Sequence, residues 1–239
     1  MTTEFNLEGV VPWGRSSEEY LSFFSLSSLP NSIRILDCGG GPSSFTIEMT
    51  RRGFRAVAAD PLYGLEKDVI EERMQRARQS MLDGFAKARD RFAWTFFKSP
   101  EASVEYRMAT MQRFLADYDS GRAAGRYVQA ALPSLPFPDQ AFDITLSSHL
   151  LFLYDHHFDL EFHLASVREM LRVGLEARIF PILDLSGNRS SLVEPVIETV
   201  SNEGFAVSIV TVPYEFQKGG NQMIRVARPS GSRHASNNA

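Results

Sequence analysis

Asp37-Cys38-Gly39-Gly40-Gly41, with a second acid at Asp60, carries the strongest chemical signal in this 239-residue chain. A short apolar run, Ile33-Arg34-Ile35-Leu36, leads into the glycines, and Arg55-Ala56-Val57-Ala58-Ala59 leads into Asp60-Pro61. Glycines at a strand end let the backbone turn sharply and approach a ligand without Cβ clashes. A carboxylate closing the next strand, 21 residues after Gly39, can accept hydrogen bonds from both hydroxyls of a ribose. In this order the two features point to a nucleoside-type cofactor. The competing reading is a glycine turn beside a helix-capping aspartate.

The details separate two cofactors. A dinucleotide fingerprint is G-x-G-x-x-G. Gly39 and Gly41 fit it, but the third position is Ser44. Asp37 stands directly before the turn, where it would repel a pyrophosphate and attract an ammonium or sulfonium group. S-adenosylmethionine is therefore favoured over NAD, and a nucleotide-dependent oxidoreductase is kept as an alternative.

The surrounding pattern supplies the scaffold. Ser16 and Glu19 form a capping box for an N-terminal helix with Tyr20, Leu21, Phe23, Phe24 and Leu26 on its apolar surface. The strand at 33–36, a helix capped by Ser43 or Ser44, and the strand at 55–59 make a βαβ unit. Further strands are expected at 127–131, 142–146, 177–183, 205–213 and 221–228, with helices at 158–173 and 190–203. The fold class is α/β: a seven-stranded, mainly parallel sheet with helices on both faces, an antiparallel C-terminal strand pair and a helical insertion after strand two. Residues 1–228 are read as one domain, with 1–30 an N-terminal helical segment and 229–239 a disordered tail.

Ile35-Leu36-Asp37-Cys38-Gly39-Gly40-Gly41-Pro42 resembles the first motif, D-x-G-x-G, of the class I S-adenosylmethionine-dependent methyltransferases. Val57-Ala58-Ala59-Asp60 is similar to their second-strand motif, and Leu135-Pro136-Phe137-Pro138-Asp139-Gln140-Ala141-Phe142-Asp143 to the stretch before their fourth strand. Ser147-Ser148-His149 matches the end of that strand. The resemblance covers about 33–228 outside the insertion. It implies S-adenosylmethionine as cofactor, bound by Asp37, Gly39, Gly40, Gly41, Asp60, Pro61, Ser148 and His149. One departure is Ala131, where the family often has an acid near the adenine; backbone groups or Ser134 would serve instead.

Methyl transfer needs alignment of the acceptor and, for some acceptors, removal of a proton. The candidates follow the fourth strand: His149, Tyr154, Asp155, His156 and His157. His149 lies nearest the expected cofactor edge and is the candidate base; packing is its competing role. His156 and His157 are read as surface residues at a helix start. The segment Ser148-His149-Leu150-Leu151 stands where amino-methylating relatives carry N-P-P-Y or D-P-P-Y, which disfavours base N-methylation of that type. No metal site is expected, because adjacent histidines do not converge on one ion.

The segment 64–126 holds 12 Lys and Arg against 10 Asp and Glu, in a chain of net charge −4. Its periodicity gives two helices broken near Ser99-Pro100, with Leu65, Val69, Met74, Met81, Phe85 and Phe92 along the first. Three roles are open: a lid over the acceptor site, plain packing on the sheet, or an RNA surface. The interspersed acids argue against a phosphate track. Trp13 and Arg15 are placed to fold over the cofactor or bind a carboxylate; docking of the helix alone is the competing reading. The balance of charge favours a small-molecule acceptor over nucleic acid, and the lack of a long apolar run argues against a membrane span. Cys38 is the only cysteine, read as a small packing residue in a reducing cytoplasm. The alternatives to a small-molecule methyltransferase are a non-catalytic S-adenosylmethionine-binding module and an RNA methyltransferase.

Overall fold

The computed structural model describes residues 13–229. Seven strands form one sheet in the order β3-β2-β1-β4-β5-β7-β6. They are β1 (Arg34–Cys38), β2 (Arg55–Ala59), β3 (Tyr127–Val128), β4 (Phe142–Ser148), β5 (Gly174–Phe180), β6 (Ala206–Thr211) and β7 (Gln222–Ala227). The first five are mutually parallel, and β7 runs antiparallel between β5 and β6. This is the seven-stranded, mainly parallel α/β architecture expected from the sequence, with its antiparallel C-terminal strand pair.

Strand alternation divides the core into two layers. On β1, Ile35 packs with Tyr20, Phe23 and Phe45, while Leu36 faces the opposite cluster with Val167 and Met170. Helices α1 (Ser17–Phe23), α2 (Phe45–Arg51), α3 (Lys67–Lys87) and α4 (Pro100–Ala123) supply the first layer, and α5 (Leu160–Val173) and α6 (Val193–Asn202) the second. Asp37 shares the side of β1 that carries Ile35, so its carboxylate points toward α1. This parity matters for the site.

The helix signals are realised closely. Ser16 and Glu19 close both halves of the capping box of α1. Ser43, rather than Ser44, accepts from the first amide of α2, with Phe45 N at 3.1 Å. Ser99 caps α4, with Pro100 at its first position. On α3 the buried stripe is Ile70, Met74, Met81 and Phe85; Val69, placed in that stripe from sequence, is exposed. Of the two inserted helices, α4 packs against β3 and serves as the crossover, and α3 packs on α4.

The largest differences from the expected strand boundaries are at β3 and β5. The strand expected at 127–131 ends at Val128, because its only neighbour, β2, ends at the paired Ala59 and the chain there turns away through Asp60-Pro61. The strand expected at 177–183 begins at Gly174, directly after α5. Gly174 permits this junction without a loop: a Cβ there would stand 2.6 Å from Thr145 Cγ2. The proposed tail at 229–239, apart from Pro229, and residues 1–12 of the N-terminal segment read as 1–30 lie outside the described residues.

Candidate functional site

The chain leaves β1 for one side of the sheet and reaches β4 on the other, so a crevice opens between their C-terminal ends. The glycine turn fills the β1 end. Gly39 and Gly41 have φ of +75° and +54°, the left-handed region that favours glycine. A Cβ on Gly40 would lie 2.7 Å from Asp37 Oδ2 and 2.9 Å from Tyr63 Oη, whereas one on Gly41 would meet nothing within 4 Å. Gly41 thus presents bare backbone to open space.

Both acids sit at this turn, in different ways. Asp60 Oδ2 accepts from Gly41 N at 2.9 Å and Oδ1 from Leu62 N at 2.7 Å, so the carboxylate closing β2 also clamps the turn after β1. Each oxygen keeps a lone pair for a ligand hydroxyl, and Asp60 lines the cavity. Burial pushes its carboxyl up to about 6, against the pull of its two amide donors. Asp37 does not line the cavity, as the sequence had suggested; it is fully buried beneath the turn. The Tyr20 hydroxyl donates to Asp37 Oδ2 at 2.9 Å, and Asp37 Oδ1 has no partner. Burial raises Asp37 to about 7, the Tyr20 hydrogen bond opposes this, and Asp60 adds to it.

At the β4 end, Ser148 and His149 line the same cavity. His149 has φ +54°, strained for a residue with a side chain. Its amide donates to Phe180 O at 2.6 Å, its Nδ1 meets Ser148 Oγ at 2.8 Å, and its ring lies 5.1 Å from Phe23 and 5.3 Å from Phe180. Burial holds its pKa well below 6.5, and the charges of Arg15 and Arg107 lower it further. The imidazole is therefore neutral at neutral pH. Tyr154 also lines the cavity; Asp155 does not, and His156 and His157 are exposed before the start of α5. Pro61 opens a short 3-10 turn and does not line the cavity.

The cavity, of about 270 Å³, continues from the turn to an aromatic wall. Phe85 and Phe92 come from the insertion, Tyr214 and Phe216 from the β6–β7 loop, and Trp13 precedes α1. Phe92 stacks on Phe216 at 4.7 Å, and Trp13 meets Phe85 edge-on at 5.0 Å. The backbone closes the same seam: Ala93 N donates to Phe216 O at 2.7 Å and Lys218 N to Arg91 O at 2.9 Å. Deeper in the insertion, Phe114 and Tyr118 pack inward against Tyr63 and Tyr127. One part of the insertion thus walls the cavity and another packs against the sheet.

Sequence reasoning did not find the wall contributed by Tyr214, Phe216 and Phe180, nor the buried ion pair behind it. Glu19 and Arg107 are both fully buried and joined by a charge-assisted hydrogen bond, with Tyr214 donating to Glu19 Oε1 at 3.0 Å. A signal existed for the wall: Tyr214 and Phe216 are aromatic residues in the hairpin connection 212–221, where polar residues are the rule.

The chain is 34% identical over 226 residues to the uncharacterized protein MJ0045 of Methanocaldococcus jannaschii, an alignment spanning 93% of this chain and 98% of that protein. The chain belongs to the family of that archaeal protein. No family model matches it. Among solved structures, it is similar to magnesium protoporphyrin IX methyltransferase from Synechocystis PCC 6803 with bound SAH, at TM-score 0.48 and 9% identity over 89% of this chain and 81% of that one. Precorrin-6y C5,15-methyltransferase from Geobacter metallireducens GS-15 gives TM-score 0.43 and 14% identity, covering 89% and 87%. Likeness this distant says nothing of the acceptor.

Proposed function

We propose that this chain transfers a methyl group from S-adenosylmethionine to a small, largely apolar acceptor. The observation that carries the reading is the single cavity joining the glycine turn and Asp60 at one end to an aromatic wall at the other, with His149 between them. The residues fit the cofactor. Gly41 offers open backbone, Asp60 offers lone pairs for ribose hydroxyls, and the unpartnered Oδ1 of Asp37 offers buried negative charge to a cationic amino-acid end. Gly39, Gly40, Pro61 and Ser148 shape and support that cradle.

S-adenosylmethionine, when bound, supplies a methyl group already activated by its sulfonium. The protein's task is then alignment, exclusion of water and, for a hydroxyl or amine acceptor, management of one proton. Trp13, Phe85, Phe92 and Phe216 exclude water and orient a flat or apolar molecule. The insertion acts as a lid through Phe85 and Phe92. His149, neutral and with Nδ1 engaged by Ser148, is the proposed base, taking the acceptor's proton on Nε2. No metal enters this scheme. No helix among the described residues is long and apolar enough to cross a membrane, and the sole cysteine, Cys38, is buried; a cytoplasmic enzyme is the reading these support.

The test is transfer of tritium from methyl-labelled S-adenosylmethionine into fractionated cell extract. Label in the small-molecule fraction supports the proposal. Label in RNA would replace it with the nucleic-acid alternative, and cofactor binding without transfer to any fraction would favour a non-catalytic module.

A further inference from the structure

Arg15 is 8% exposed and lines the cavity, yet its Nη1 is buried and makes no hydrogen bond. Its one ion pair among the described residues is a loose contact with Glu19 Oε1 at 3.9 Å. Glu19 is already engaged: Arg107 and Ser16 N donate to its Oε2, and Tyr214 donates to its Oε1. Two guanidinium groups therefore share one carboxylate, and the cluster keeps one positive charge in excess. The backbone of Arg15 is also held in place. Its own carbonyl accepts from Ser43 Oγ at 2.7 Å and from Ser44 N at 3.1 Å, tying it to the glycine turn.

An isolated buried charge is costly unless a partner compensates it. Burial, with the adjacent Arg107, lowers Arg15 to about 10, which still leaves it cationic at neutral pH. Arg15 stands over the Trp13 ring at 5.9 Å, and its charge acts on His149 and Tyr214, neither of them anionic; the acid that lines the cavity, Asp60, is engaged by Gly41 N and Leu62 N. A planar guanidinium matches a carboxylate through two parallel N–H donors. One unit of excess charge balances a monoanion, whereas a phosphate dianion would leave the site negative.

We propose that Arg15 is the carboxylate receptor of this cavity, pairing with a ligand carboxylate that enters beside His149. The proposal rests on the methyltransferase reading for its two sources of that group: the amino-acid end of the cofactor, or the acceptor itself.

The experiment is calorimetric titration of the wild-type chain, Arg15→Gln and Arg15→Lys with four probes. S-adenosylhomocysteine is compared with 5′-methylthioadenosine, which keeps the nucleoside and thioether but lacks the amino-acid end. With S-adenosylhomocysteine present, 2-naphthoate is compared with 2-naphthamide. If the cofactor supplies the carboxylate, Arg15→Gln weakens S-adenosylhomocysteine by at least tenfold and leaves 5′-methylthioadenosine unchanged, with Arg15→Lys between. If the acceptor supplies it, both nucleosides bind as before and naphthoate alone is lost. A merely structural Arg15 would lower the melting temperature of the unliganded chain and weaken charged and neutral probes alike. The receptor role predicts an unliganded Arg15→Gln that melts at or above the wild type. Equal effects on charged and neutral probes, or none on either, would overturn the proposal. Failure of both nucleosides on the wild type would instead remove the cofactor reading, and the naphthoate pair would still decide Arg15.

Discussion

The Tyr20 hydroxyl of α1 donates to Asp37 Oδ2 of β1 at 2.9 Å, so the N-terminal helix reaches under the glycine turn to hold its acid. The other oxygen is unpartnered, and burial raises this carboxyl to about 7. A cationic ligand group favours the ionised form and lowers that value, so binding at pH 6.5 must expel a proton. Cofactor affinity is expected to rise as pH climbs from 5.5 to 7.5 and then level off. Calorimetry in two buffers of different ionisation enthalpy reads the released proton directly. In Tyr20→Phe, Asp37 loses the bond that opposes its protonation, and the rise moves to higher pH.

Gly41 isolates the cost of conformation from that of crowding. Alanine there meets no atom of the protein within 4 Å, but must adopt φ +54°. Gly41→Ala is expected to cost about 1–2 kcal/mol in urea denaturation, the usual penalty for the left-handed region. Because the new methyl group stands in the cavity, S-adenosylhomocysteine affinity should fall by an order of magnitude or more. Loss of stability without loss of affinity would show that the cofactor does not pass this face of the turn.

Glu19 is the keystone of the charges behind the aromatic wall. Burial alone would raise its pKa, but Arg107 and Arg15 hold it below the ordinary value. Glu19→Gln leaves two buried guanidinium groups without a carboxylate, and breaking a buried pair from one side costs about 3–5 kcal/mol. Chemical denaturation at pH 7 measures it. The depressed pKa gives the sign of its pH dependence: the stabilisation is full above the ordinary glutamate value and is lost as pH falls through the folded one.

Much of the scaffold was legible because it is written locally. The capping box at Ser16 and Glu19, the apolar spacing of α4 and the glycines between β1 and α2 each lie within one short segment. The strand ends were less so: β3 stops at Val128 because its partner leaves, which only the sheet order reveals. The cavity wall was not legible, since Trp13, Phe85, Phe180, Tyr214 and Phe216 meet only when four separated segments converge. Arg107 and Glu19 stand 88 positions apart, and nothing in either neighbourhood marks the pair. Asp37 was recognised as chemically important, but its place beneath the turn follows from the side of β1 on which it falls.

His149 separates a neutral base from a charged one. Burial and the nearby arginines depress its pKa well below 6.5. Nitrogen-detected NMR of histidine-labelled chain should show this imidazole neutral throughout the neutral range. Replacing Arg15 by glutamine removes one depressing charge and should move the His149 titration upward. A titration near 6.5 in the wild type would place the ring in water and take it out of the cavity.

The most direct test of the cofactor site is titration of the purified chain with S-adenosylhomocysteine, with NAD and Asp60→Ala as controls. Saturable binding of S-adenosylhomocysteine at a single site, absence of NAD binding and at least a tenfold loss in Asp60→Ala are the expected results. A folded wild-type chain that binds no S-adenosylhomocysteine, or binds it equally well without the Asp60 carboxylate, would contradict the assignment of the glycine turn and Asp60 as a nucleoside cradle.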